Sequence, residues 1–135
     1  MKNLVWLAAV AIAFGMVAFA SDKVAELDGT SWKVSVVPDD MAKTKGEKEY
    51  KETITFANGS VSMTEGQKVG FASSSYDVTK SGDKDWTFKS EQSSDSSGRA
   101  IWTGTVHEKH VEGKVIVTRK GGAVMTYTFK GEKLD

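Results

Sequence analysis

The chain has two histidines, His107 and His110, separated by Glu108 and Lys109. Imidazole is a frequent metal ligand, and two of them at a hairpin turn can share an ion with Glu108 or Glu112. The run His-Glu-Lys-His lacks the helical spacing of a zinc-protease motif, and two histidines flanking a solvated turn is the plainer reading. The chain has no cysteine, which excludes thiolate metal sites, disulfides, a Cys nucleophile and lipid attachment through a cysteine. Its many serines lie in Ser-rich loops without a Gly-x-Ser-x-Gly turn or an adjacent base. The carboxylate pairs Asp83/Asp85 and Asp39/Asp40 sit where Asp is favoured for turns and caps. No Gly-rich phosphate loop follows a strand and opens a helix. The sequence is therefore that of a non-enzymatic protein with no metal and no cofactor.

The remaining chemistry is aromatic. Trp32, Phe56, Phe71, Tyr76, Trp86, Phe88, Trp102, Tyr127 and Phe129 recur at strand spacing, with the small residues Ala100, Gly104 and Gly113 beside Trp102. Two arrangements fit this pattern. In one, the rings fill a core and the glycines make room for a neighbouring ring. In the other, the small residues open a cavity lined by Trp102, Trp86, Tyr76 and Tyr127, with Phe88, Gly104 and Gly113 on its wall, and phenol hydroxyls orient a mostly apolar guest.

Turns position these rings. Asn58-Gly59 is a strong two-residue hairpin signal, because its turn needs positive φ at both central residues. It sets Ala57 opposite Ser60, Phe56 opposite Val61 and Ile54 opposite Met63, and leaves Thr53, Thr55, Ser62 and Thr64 on the other face. A second hairpin at His107–His110 sets Val106 opposite Val111, Gly104 opposite Gly113, Trp102 opposite Val115 and Ala100 opposite Val117. A third, around Lys120-Gly121-Gly122, sets Met125 opposite Val117, Tyr127 opposite Val115 and Phe129 opposite Gly113. Trp32, Val34 and Val36 alternate inward, as do Trp86 and Phe88 in a strand over 86–92. The stretch 69–79 changes phase, which implies a bulge or break near Ser73-Ser74-Ser75. Between the first two strands, Asp39-Asp40 before Met41-Ala42-Lys43 predicts one or two helical turns within 38–49, a lid or plug over one barrel end. The Ser/Asp/Gly-rich stretch 92–98 reads as a mobile loop.

Residues 1–20 have the form of a removed signal peptide: Lys2, an apolar run over 4–17 and Ala18-Phe19-Ala20 before Ser21. The run is shorter than the roughly 20 residues that span a bilayer, so no membrane span is expected to remain. Residues 21–135 then form one domain, secreted or periplasmic and not a lipoprotein. The leader carries one of the 18 basic residues and none of the 18 acidic ones, leaving a net charge of −1 with His neutral. Interspersed Lys and Glu give no basic stripe, which excludes nucleic acid as a partner.

The fold class is thus all-β: a single eight-stranded antiparallel up-and-down β-barrel. Leu27-Asp28-Gly29-Thr30-Ser31-Trp32-Lys33 opening the first strand, with the meander and Gly-rich final hairpin, resembles the bacterial lipocalin-like branch of the calycin barrels. That resemblance implies Trp32 closing the barrel base beneath a basic side chain after the last strand, here Lys130 or Lys133. The spacing is Gly-x-x-Trp, one residue longer than in lipocalins, and the last strand is followed at once by Asp135, as in avidin-like barrels. Two functions follow as expectations: a carrier of a small hydrophobic ligand, or a filled barrel acting through its surface as an envelope-associated interaction or inhibitor domain, with 38–49 and 92–98 as its binding edge.

Overall fold

A computed structural model describes residues 27–135; the leader reading for 1–20 lies outside them. Eight strands, β1 (Thr30–Pro38), β2 (Tyr50–Ala57), β3 (Ser60–Met63), β4 (Ser74–Gly82), β5 (Asp85–Ser94), β6 (Gly98–His107), β7 (His110–Thr118) and β8 (Val124–Lys133), pair antiparallel in chain order. β8 pairs back onto β1, so the sheet closes into a barrel. Two short helices, α1 (Asp40–Thr44) and α2 (Thr64–Lys68), lie at one end.

The three turns set the register as their chemistry requires. Asn58 and Gly59 have φ of 55° and 77°, and Phe56 pairs Val61 with Ile54 opposite Met63. Glu108 takes the left-handed position of the second turn at φ 55°, and the Gly104–Gly113, Trp102–Val115 and Ala100–Val117 pairs follow. Gly121 and Gly122 both have φ 98°, and Tyr127 pairs Val115 with Phe129 opposite Gly113. Alternation then drives Trp32, Val34, Val36, Ile54, Phe56, Phe88, Trp102, Val115 and Phe129 into one core.

The Leu27-Asp28-Gly29 segment knots the barrel base. Both Asp28 carboxylate oxygens accept from Gly59 N, at 3.1 and 3.0 Å, and Oδ1 accepts the Tyr76 hydroxyl at 2.8 Å. Gly29 N donates to Phe56 O at 2.7 Å. Trp32 is buried, its indole N–H donates to Thr30 Oγ1 at 3.0 Å, and its partner across the closing seam is Lys133. Lys130 pairs Ser35 further up the same seam.

Two expectations change. The stretch 69–79 is not one strand: β4 begins only at Ser74, and α2 with its following turn occupies 64–70. Val69 is accordingly 52% exposed while Phe71 is buried, so of the bulge or break expected near Ser73–Ser75 it is the break that occurs, as a helix-to-strand connection. The stretch 92–98 is mostly strand: β5 continues to Ser94 and β6 starts at Gly98, leaving a turn of Asp95, Ser96 and Ser97. Gln92 and Ser94 point inward and are buried, because alternation outlasts the apolar residues. The helical turn after Asp39 forms as expected, with Asp39 Oδ1 accepting from Ala42 N at 2.8 Å and Ala42 packed into the core.

Candidate functional site

Antiparallel order places α1, α2 and the turns 95–97 and 119–123 at one mouth of the barrel, and the turns Asn58-Gly59, Asp83-Lys84 and Glu108-Lys109 at the other. Between the mouths the interior is solid. Phe56 stacks edge-on against Tyr76 at 4.7 Å and Phe88 at 5.1 Å, and Phe129 lies 6.5 Å from Phe88 and 5.2 Å from Trp102. These distances are those of favourable aromatic pairs.

The glycines beside Trp102 belong to this packing. A Cβ on Gly104 would sit 2.7 Å from Phe88 Cε1 and 2.9 Å from Phe129 Cζ. On Gly113 it would meet Thr103 O at 2.0 Å and Phe129 Cζ at 2.8 Å. The space these residues leave is therefore taken by rings and by the neighbouring strand. Trp102, Trp86, Tyr76 and Tyr127 do not line one shared cavity: Tyr76 is tied to Asp28 at the base, and Trp86 flanks a recess with Trp32 and Lys133 at that same end. Lys80 Nζ stands over the Trp86 ring at 5.6 Å, covering its half-buried face.

Trp102 and Tyr127 do come together, at the helical mouth, where they border a cleft of about 490 Å³. Its apolar surface comes from Trp102, Ala100, Val117, Met63 and Phe71, and its rim includes Glu47, Tyr50, Arg119 and Lys68. The size falls in the roughly 300–1,000 Å³ range of small-molecule sites. A polar cluster lies on one wall. Arg119 Nη2 donates to Glu47 Oε1 at 2.7 Å and to the Tyr127 hydroxyl at 3.3 Å, and that hydroxyl donates to the same Glu47 oxygen. Burial and the Glu47 hydrogen bond push the Tyr127 phenol up to about 12. Tyr50 packs edge-on to Tyr127 at 6.4 Å, and burial raises its pKa as well. Arg119 Nε is buried with no hydrogen-bond partner.

The opposite wall is α2, held by a carboxylate from inside the sheet. Glu52 on β2 is 1% exposed. Its Oε1 accepts from Thr53 N and Glu65 N, both at 2.8 Å, and its Oε2 accepts from Gly66 N at 3.1 Å. Desolvation raises its pKa above the usual carboxylate value, against the lowering effect of those N–H groups. Below, Gln92 Nε2 donates to Val61 O at 3.2 Å, satisfying a backbone carbonyl inside the barrel.

Glu47, Arg119, Glu52 and Gln92 were not among the sequence candidates. A signal existed for two of them: counting by twos from Ile54 and Phe88 places Glu52 and Gln92 on the inner face. The Glu47–Arg119 pair spans 72 residues and leaves no local trace.

His107 and His110 pair across β6 and β7 on the outside, as the register requires. His107 Nδ1 bonds Asp85, which raises its pKa, and Nε2 lies 3.3 Å from Glu108 Oε1. His110 Nδ1 is 3.8 Å from Glu132 Oε2. Among the described residues no group of three or more His, Asp or Glu is arranged to hold a metal ion, and no helix is long and apolar enough to cross a membrane.

Compared with known proteins, the chain matches no family model, no curated protein and no solved structure.

Proposed function

We propose that this protein is an exported, non-enzymatic binder of a small amphipathic ligand, held in the cleft bordered by Glu47 and Tyr50 after α1, by α2 and by Arg119. The observation that carries this reading is the cleft's composition: an aromatic and aliphatic floor around Trp102, with a hydrogen-bonded polar cluster of Glu47, Arg119 and Tyr127 on one wall. Such a surface buries an apolar body and fixes one polar end. The ligand sits at the mouth, since the barrel middle is occupied by Phe56, Phe88 and Phe129. The leader sequence supports export to the periplasm or beyond, and the Leu27–Lys33 segment with Trp32 at the base supports kinship with lipocalin-like barrels.

A second reading draws on the same solid middle. Met41, Tyr50, Val69 and Val124 are large, exposed apolar residues at this mouth, a surface on which a protein partner would close. Native mass spectrometry of protein purified without denaturation separates the two. Adduct mass that disappears on organic extraction, and that is reduced in a Val117→Trp variant filling the cleft, supports the binder. A clean apo mass with no uptake of added amphiphiles refutes it and favours the surface reading.

A further inference from the structure

The cleft is charge-balanced, and this restricts its guest. Of the cations on its border, Arg119 is 2.7 Å from Glu47 Oε1 and Lys68 Nζ is 2.9 Å from Glu65 Oε2. Tyr127, held well above the physiological range at about 12, adds no charge. An incoming carboxylate would have to compete with Glu47 for Arg119 and with Glu65 for Lys68. To take Nη2 it would have to displace Glu47, and it would bring a second negative charge beside that carboxylate, where like charges repel. A neutral head group meets the opposite situation. Its oxygen can accept from the accessible part of the Arg119 guanidinium, whose side chain is 40% exposed, without placing a second negative charge beside Glu47. The Glu47 carboxylate beside it has acceptor capacity for an O–H or N–H.

Resting on the ligand-site reading above, we infer that the guest is an uncharged amphiphile, an alcohol, ester or amide bearing an apolar chain, whose oxygen accepts from the exposed Arg119 guanidinium and whose O–H or N–H, where it has one, donates to Glu47. The apolar chain lies against Trp102, Val117 and Met63. A free fatty acid, ionised at neutral pH, is discriminated against by Glu47, which acts as the specificity-determining residue.

The test compares 1-decanol, decanamide and decanoate at neutral pH below their micelle concentrations, by calorimetry and by the change in tryptophan emission, on the wild type and on Glu47→Gln. The two neutral probes should bind the wild type at least about ten-fold more tightly than decanoate. Glu47→Gln frees the guanidinium, so the decanoate-to-decanamide affinity ratio should rise by about ten-fold or more, with an unchanged far-UV spectrum showing an intact barrel. Decanoate binding the wild type as tightly as decanamide, or a ratio unmoved by Glu47→Gln, overturns the inference and leaves the ligand site standing. No binding of any of the three overturns both.

Discussion

Replacing Gly113 and Gly104 separately by Ala separates a filled barrel from a hollow one. The two positions are cross-strand partners on the inner face, yet a methyl would meet different matter at each. At Gly113 it lands 2.0 Å from Thr103 O and 2.6 Å from Gly104 Cα, both backbone of the adjacent strand. Real Cβ atoms essentially never come closer than 3.0 Å to such a neighbour, so β6 and β7 would have to part by about 1 Å. That distance breaks one or two ladder hydrogen bonds at about 1 kcal/mol each. Overpacking adds about 1–3 kcal/mol, which gives roughly 2–5 kcal/mol in all. At Gly104 the obstacles are two ring edges at 2.7 and 2.9 Å, which can yield by a few tenths of an ångström. Overpacking there falls at the low end, about 1–2 kcal/mol, and the roughly 0.4–1 kcal/mol that Ala contributes by restricting the unfolded chain is common to both variants and cancels in their comparison. Urea titration followed by tryptophan fluorescence and far-UV circular dichroism should therefore rank Gly113→Ala below Gly104→Ala by about 2 kcal/mol, at equal m-values. If both variants match or exceed the wild type, the space beside Trp102 is empty and the packing argument fails.

Glu52 should make stability depend on pH. Its pKa is raised above 4.5 in the native state, so the folded chain keeps a proton that the unfolded chain has released; the resulting stabilisation is fully present below about pH 4.5 and is lost as pH rises through the native value. Relative to Glu52→Gln, the wild type should thus gain stability on acidification from neutral pH towards 4.5, and a pH-independent difference in urea midpoints would contradict the assignment. Trp102→Ala removes a ring packed on Phe129 at 5.2 Å and should cost about 3 kcal/mol, the low end for core aromatics because one side borders the cleft; an unmoved midpoint would show that the ring is not packed. Gly59 has φ 77° and donates to Asp28, so Gly59→Val should be less stable than Asn58→Asp by at least about 1 kcal/mol, and equal stabilities would mean that the turn tolerates a β-branched residue.

The barrel was legible because its turns carry their own stereochemistry. Once Asn58-Gly59 and Gly121-Gly122 demand left-handed backbone, period-two alternation leaves a single register for each hairpin, and Phe56–Val61 or Tyr127–Val115 follow without tertiary information. Val69 misled because α2 precedes it: a five-residue helix without an amphipathic stripe has no periodicity to read, and it is held by Glu52 from another strand rather than by a cap of its own. The cleft was half legible. Trp102 and Tyr127 are inner-face residues near the helical mouth, whereas Trp86 and Tyr76 share their face but not their end of the barrel. Parity along a strand specifies the face, and height along the barrel axis depends on strand stagger, which no single hairpin encodes.

Closure itself has an uneven strength. β3 is four residues long and meets β4 through only two residue pairs, Ser60–Ser75 and Val61–Ser74, while the other seven seams each have four or more. Parting that seam costs the fewest ladder bonds and converts the barrel into a curled sheet with two raw borders. Amide protons along 60–63 and 74–76 should accordingly exchange with solvent ahead of those in β6 and β7. The same excursion presents unpaired backbone to any neighbouring molecule, the route by which strands recruit strands into aggregates. Gln92 donates to Val61 O from within, so this one side chain is a clasp on the joint at which the barrel would first unroll into an associating form.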